Sequence, residues 1–502
     1  MTSRRTSIVC GALLVLTALV RVWVPPMVRA APQGAVWAWG ENGNGQWGNS
    51  PGSLSLAPVQ VGGLIGVTDI AAGSAHKLAL RRDGSVWTWG ANARGQLGNG
   101  TVTDSLSPIP VGGLGRAVAV AAGTEHSLAL LADGTVWAWG ANDAGQLGEA
   151  SPGTCGRRDA ENPVLIGCSP TPVQVEGLSG VTSVASGAHH NLALLADGTV
   201  WAWGANTGRS VLGPGAPESG CDFTSCSRTP TPVDGLDGVS ALAAGASHNL
   251  ALLVDGTVRS WGVDANGQLG RPSEPCGRLG CGPTPGYVSG LREVTAIAAG
   301  GDHSLALRAD GTVWAWGQNF YSQSGSPSSF SSGPATVGGL TGMIDIAAGP
   351  AHSLALGADG SVWVWGANAY GYDGRPGPDF CSTESSVPIS CSPMPSQVGG
   401  LHGVIAIAAG GAHNLALGSE GHLAPPQLPA SVWGWSGGHR RCHSAWGWPG
   451  CGLAHSAAPS ARRTSVESSQ TARILPYAGR GARITAGRHR GAVARPASRG
   501  SR

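Results

Sequence analysis

Seven histidines recur at one register along this 502-residue chain: His76, His126, His190, His248, His303, His352 and His413. Imidazoles bind metals and move protons near neutral pH. The regularity argues for a different use. A histidine carried once per copy of a long repeat is held apart from its counterparts by a whole structural unit, so the seven cannot converge on one ion. A structural role is expected, with one ring nitrogen tying down a neighbouring backbone group in each copy. The recurring Asp-Gly pairs, such as Asp83-Gly84 and Asp133-Gly134, lie in no Asp-x-Asp-x-Asp-Gly calcium loop and read as turns. Gly43-Asn44-Gly45 is not set between a strand and a helix with an acidic residue beyond, as dinucleotide binding needs. The sequence has no glutamate–histidine zinc pattern. Neither a metal, a cofactor nor an enzymatic activity is expected.

The cysteines fall into near neighbours: Cys155/Cys168, Cys221/Cys226, Cys276/Cys281, Cys381/Cys391 and Cys442/Cys451. Zinc normally takes four ligands in tight pairs, whereas the two members of these pairs stand 5 to 13 residues apart. Local disulfides in an oxidising compartment are the economical reading for the first four pairs. The N-terminus agrees. Arg4 and Arg5 precede an uncharged apolar run from Ile8 to Val20, and Val28-Arg29-Ala30 offers small residues for cleavage. Residues 1–30 are therefore expected to be a secretory signal. The apolar run is shorter than the roughly 20 residues that span a bilayer, and no transmembrane span is expected.

A ruler runs through residues 31–423. Each histidine follows a leucine (Leu64, Leu114, Leu178, Leu236, Leu291, Leu340, Leu401) by twelve residues, and each of the first six precedes the glycine of a Trp-Gly by fourteen. From Trp-Gly to the next leucine the distance varies from 23 to 38, so all length variation falls in one place per copy. The fixed part is β: His126-Ser-Leu-Ala-Leu130 and Thr135-Val-Trp-Ala-Trp139 alternate with period two, and Asp133-Gly134 between them suits a tight hairpin with positive φ at both central residues. Small Ala and Gly opposite Trp suit sheets stacked face to face, as in a radial ring of blades. The chain opens with an orphan strand, Val36 to Gly40, and its last unit, His413 to Leu417, lacks one. Seven blades closed by the N-terminal strand are the expected architecture, since closure removes the exposed edges. Ser431-Val-Trp-Gly-Trp435 also reads as a blade strand and could compete for that place.

Repeats of the form Trp-Gly-Ala-Asn-x-x-Gly-Gln-Leu-Gly, then Pro-x-x-Val-x-Gly-Leu, then Ala-Ala-Gly-x-x-His-x-Leu-Ala-Leu resemble the regulator of chromosome condensation repeat family over roughly residues 34–423. The resemblance implies an all-β, seven-bladed propeller that binds through one face, here in an exported, bacterial-type member. It implies no chemistry.

The phenol and phenyl rings avoid the fixed core. Phe223, Tyr287, Phe320, Tyr321, Phe330, Tyr370, Tyr372 and Phe380 all lie in the variable segments, and six of these eight fall between 318 and 380. The Gly-Gln-Leu-Gly run is lost there, replaced by Asn319-Phe-Tyr-Ser and Asn368-Ala-Tyr-Gly. Rings on the rim of a rigid scaffold favour a protein partner. Phe320, Tyr321, Phe330, Tyr370, Tyr372 and Phe380 are thus the expected partner-binding residues.

Charge is divided. Residues 424–502 hold twelve Arg and one Glu with no Lys or Asp, a net of +11 against +2 for the chain, which leaves −9 for 1–423. Setting aside Arg4, Arg5, Arg21 and Arg29 leaves −13 for 32–423, which argues against nucleic acid. The low-complexity tail is expected to be disordered. These features describe a monomeric scaffold, secreted or on the periplasmic or cell-surface side, that binds a protein or surface glycan through one loop-rich face. A secreted inhibitor of a hydrolase, resembling propeller-type β-lactamase inhibitors, is the alternative.

Overall fold

The structure, a computed structural model, describes residues 34–48, 55–149, 153–157, 164–216, 219–221, 225–276, 279–325, 330–373, 379–381 and 389–419. The expected signal (1–30), the tail (424–502), Cys442/Cys451 and the competing strand Ser431–Trp435 lie outside them.

Seven antiparallel sheets stand as blades around a central axis. Blade one shows the pattern: Val67–Ala72 is innermost, followed outward by His76–Arg81, Val86–Gly90 and Ser105–Pro110. The inner strands of blades two to six are Ala117–Ala122, Val181–Ser186, Val239–Ala244, Val294–Ala299 and Met343–Ala348. Blade seven is built from both halves of the ruler. Val404–Ala409 and His413–Gly418 come from its end, Val36–Gly40 and Ser55–Gln60 from its start. Val36 pairs with Leu417 and Gly40 with His413, so the orphan strand closes the ring as expected. It brings the next strand with it, so that the closing blade takes two strands from each side.

Period-two alternation dictates the packing. In blade one Leu78 and Leu80 point to the next blade, where they meet Ala129, Leu131 and Trp139. Leu128 and Leu130 in turn meet Ala193 and Trp203 of blade three. Leucine and the alanine–tryptophan pair therefore occupy opposite faces of each sheet, rather than alanine opposing tryptophan. Each large apolar side chain buried this way contributes roughly 1.5–3 kcal/mol. The seven core tryptophans, Trp39, Trp89, Trp139, Trp203, Trp261, Trp316 and Trp365, are fully buried.

The Asp-Gly turns differ in detail from the expected two-residue form. Gly84 and Gly134 have positive φ, whereas Asp83 and Asp133 do not. Gly84 N–H donates to Arg81 O and Arg81 N–H to Ser85 O, the three-residue hairpin in which glycine takes the left-handed position. Asp133 Oδ1 accepts from Thr135 N–H (3.0 Å) and Thr135 Oγ (2.7 Å), fixing the turn locally.

The variable segments are more ordered than loops. Each carries the fourth strand of its blade. In blades two, three, four and six a further short strand, Gly153–Arg157, Ser219–Gly220, Glu274–Cys276 and Asp379–Cys381, adds to it. Those are the four segments that carry paired cysteines. Cys155–Cys168 and Cys221–Cys226 are disulfides, and Cys281 and Cys391 are also disulfide-bonded. The side chains of Cys276 and Cys381 lie outside the described residues. One register recurs: Cys168, Cys226, Cys281 and Cys391 sit opposite Ala141, Ala205, Val263 and Ala367, each the residue after a Trp-Gly.

Candidate binding face

In an antiparallel meander, alternate connections emerge at the same end. One face of the ring therefore gathers the Ala-Ala-Gly-x-x-His turns and the Trp-Gly-Ala-Asn loops with their inserted hairpins, while the Asp-Gly turns occupy the other. At the centre of the first face seven turns, six Ala-Ala-Gly and one Ala185-Ser186-Gly187, line a mouth of about 400 Å³. The glycines there have no room for a side chain. A Cβ on Gly73 would strike the His76 ring and the Gly123 carbonyl, and one on Gly300 the His303 ring and the Gly349 carbonyl.

The seven histidines ring this mouth, all fully or almost fully buried. Their Nε2 atoms do not hold backbone, as the sequence led us to expect, but reach a side chain of the next blade. His76 meets Ser127, His126 Asn191, His190 Asn249, His248 Ser304, His303 Ser353 and His352 the Asn414 amide, at 2.7–2.9 Å. Ser127, Asn191, Asn249, Ser304 and Ser353 spend their own protons on loop carbonyls at 2.8–2.9 Å, so the histidine is the donor. His413 breaks the series, because the residue it faces is Lys77. The residue after each histidine therefore carried a signal that the sequence reading passed over. Burial pushes His76, His248 and His303 down to about 3, and His126, His190 and His352 down to about 4. Neutral imidazoles with committed Nε2 atoms are joints, not acid–base catalysts.

The loops above the joints are rigid for reasons the motif explains. The asparagine of Trp-Gly-Ala-Asn accepts the N–H five residues on: Asn92 from Leu97 and Asn142 from Leu147, both at 2.9 Å, and Asn319 from Ser324 at 2.7 Å. The loop carbonyl that follows receives the core tryptophan of the next blade in every case, from Trp39 on Tyr372 O (2.7 Å) to Trp89 on Gln46 O (3.2 Å).

On this platform the expected rings separate. Phe320 and Tyr370 are exposed, at 45% and 40%, on loops of the adjacent blades five and six, and Tyr321 is half-buried beside Phe320. Tyr372 is no surface ring. It occupies the place of Gln46, Gln96, Gln146, Gln268 and Gln323, all buried, and is itself only 4% exposed. Counting from Asn368 along the degenerate motif would have revealed that register. Phe330 opens the outer strand Phe330–Thr336 and Phe380 lies in Asp379–Cys381, with both side chains outside the described residues. Tyr287 sits on an outer strand away from this face, with the Arg259 guanidinium 3.9 Å from its ring centre. Among the described residues, no group of three or more His, Cys, Asp or Glu could hold a metal ion.

A family model described as the RCC1-like domain matches residues 27–285. Models of the regulator of chromosome condensation (RCC1) repeat match 294–323 and 343–371, and again 310–356 and 359–417. Protein pim1 of Schizosaccharomyces pombe is 36% identical over 174 residues, 32% of this chain and 31% of that one, so the match spans about a third of that relative. Yeast RCC1 (Prp20), solved bound to Kap60, superposes with a TM-score of 0.64 at 25% identity, over 77% of this chain and 89% of that one. Human WBSCR16 does so with a TM-score of 0.61 at 25% identity, over 77% and 99%.

Proposed function

The chain belongs to the RCC1-like domain family, and from that premise we propose that it is a protein-binding scaffold whose partner docks on the face that carries the inserted hairpins. RCC1-like propellers are typically protein-binding or regulatory modules, and the yeast relative was solved with a protein partner, Kap60. The observation that carries the reading for this chain is the pairing of exposed Phe320 and Tyr370 on adjacent, internally braced loops. Rigid aromatic anchors lose little conformational entropy on binding, which is why interfaces favour them. The two disulfide-closed hairpins, Cys155–Cys168 and Cys221–Cys226, support the reading that the ring works in an oxidising compartment after export.

The experiment is a cross-linking pull-down from the producing cell's envelope and extracellular fractions with the full chain, run beside Phe320→Ala/Tyr370→Ala and beside Tyr287→Ala. A partner lost from the double variant and kept by Tyr287→Ala supports the assignment. A partner kept by the double variant overturns it.

A further inference from the structure

Two hydrogen-bonded necklaces run round the inner end of the ring, and each has one link missing. The first is backbone. Ser74 N–H donates to Thr124 O (3.3 Å), Thr124 N–H to Ala188 O (3.1 Å) and Ala188 N–H to Gly245 O (3.2 Å). Ala246 N–H continues to Gly300 O (3.1 Å), Gly301 N–H to Gly349 O (3.3 Å) and Gly411 N–H to Gly73 O (3.1 Å). At the remaining joint, between blades six and seven, the donor position is Pro350, which has no N–H to give.

The second necklace is the chain of histidines. Its missing link is His413 to Lys77, at the joint between blades seven and one. Elsewhere Ser127, Asn191, Asn249, Ser304 and Ser353 answer the histidine as acceptors, and the Asn414 amide meets His352 at 2.7 Å. Lys77 does not complete the link. Lys77 Nζ and His413 Nε2 are both buried and make no hydrogen bond among the described residues. Buried polar groups left unpaired are a standing cost to the state that buries them.

The two gaps fall on the two sides of a single blade, the one assembled from both ends of the ruler. We infer that this closing blade is a gate: it parts from blades six and one as a unit, starting at the central mouth, while the other six blades remain joined. The outer contacts set the pivot. Trp39 still reaches Tyr372 O at 2.7 Å and Trp89 reaches Gln46 O at 3.2 Å, and apolar clusters fill both joints from the inner strands outward. Opening is therefore cheapest at the inner end, where the two links are missing and the mouth would widen beside the hairpin-bearing face.

Hydrogen–deuterium exchange of the full chain, read by mass spectrometry, tests this. Peptides covering 36–40 and 404–418 should exchange roughly tenfold sooner than those covering 239–253 and 258–263 of blade four, under conditions where local opening dominates. Pro350→Ala restores an N–H and Lys77→Asn restores the acceptor found in blades three and four. Each should slow exchange in the closing blade and leave blade four unchanged. Equal protection of all blades in the unmodified chain overturns the gate, and that comparison stands even if a variant fails to fold. Slowing of every blade alike would also overturn it, since it would mean a change in global stability.

Discussion

The Tyr372 ring lies flat against the His352 imidazole, with centroids 4.4 Å apart and planes 16° from parallel. The pair joins the two themes of the molecule, because Tyr372 stands where other blades place a buried glutamine and its carbonyl holds Trp39 of the closing blade. Burial also pushes its phenol well above the usual value. Tyr372→Ala should cost about 3 kcal/mol or more, as buried aromatic truncations do. Tyr372→Gln, which restores the family pattern, should cost clearly less. Urea denaturation of the two variants checks the order, and equal losses would show that the glutamine site is not what Tyr372 occupies.

Glycine at the mouth is a packing requirement. Gly300→Ala should destabilise by about 1–3 kcal/mol or more, because the new methyl meets the His303 ring and the Gly349 carbonyl at once. Gly62, with open space where its Cβ would stand, is the control, and Gly62→Ala should be near neutral. A melting curve for each variant decides the matter.

Closure should dominate stability. Deleting residues 32–41 removes the strand that pairs Val36 to Leu417 through Gly40 to His413 and leaves two raw sheet edges. The midpoint of thermal unfolding should drop by more than about 10 °C, a loss larger than one short strand supplies. An unchanged midpoint would mean that another segment closes the ring.

Acid should unfold the ring early. The seven histidines are held neutral in the fold and protonate near pH 6.5 once unfolded, so the unfolded chain binds more protons and stability falls as pH drops below 6.5. Asp69 and Asp345, pushed up to about 6 by burial, act in the opposite sense between pH 3.8 and 6. Seven against two leaves net proton uptake on unfolding, up to about five protons near pH 5. Lys77, whose amine burial drives well below its usual value, extends the rise of stability with pH into the alkaline range. Chemical denaturation from pH 4.5 to 9 should show stability increasing throughout, most steeply below 6.5, and a flat profile would contradict the burial of these rings.

The ring, its blade number and its closure were legible because a rigid repeat writes its spacing into the sequence. The fixed distances through His126 and Gly140 could hardly arise otherwise. The outer strands were not legible. Segments such as Val164–Gln174 and Leu279–Tyr287 vary in length and carry proline and glycine, so they look like loops even though their backbones complete the sheet. At the candidate face, Phe320 and Tyr370 could be read as exposed from their position in a loop, but Tyr372 could not be assessed without aligning it to the buried glutamines. Joints between blades were only half legible: a polar residue stands after each histidine in the sequence, but its pairing across the joint is not written there. The partner of each histidine lies about 50 to 65 residues away, and nothing in the spacing of a repeat reveals which side chain of the next copy faces it.

The closing blade also orders events in time. Val36–Gly40 pairs at once with Ser55–Gln60 on one side, but its other edge must wait for Leu417, a separation of nearly the whole ruler. A growing polypeptide can lay down blades one to six from neighbouring segments as they emerge, yet its first strand keeps that other edge open until the last is made. Pairings so distant in sequence are slow to form, so during synthesis Val36–Gly40, with its two tryptophans, is the segment most in need of a chaperone's cover.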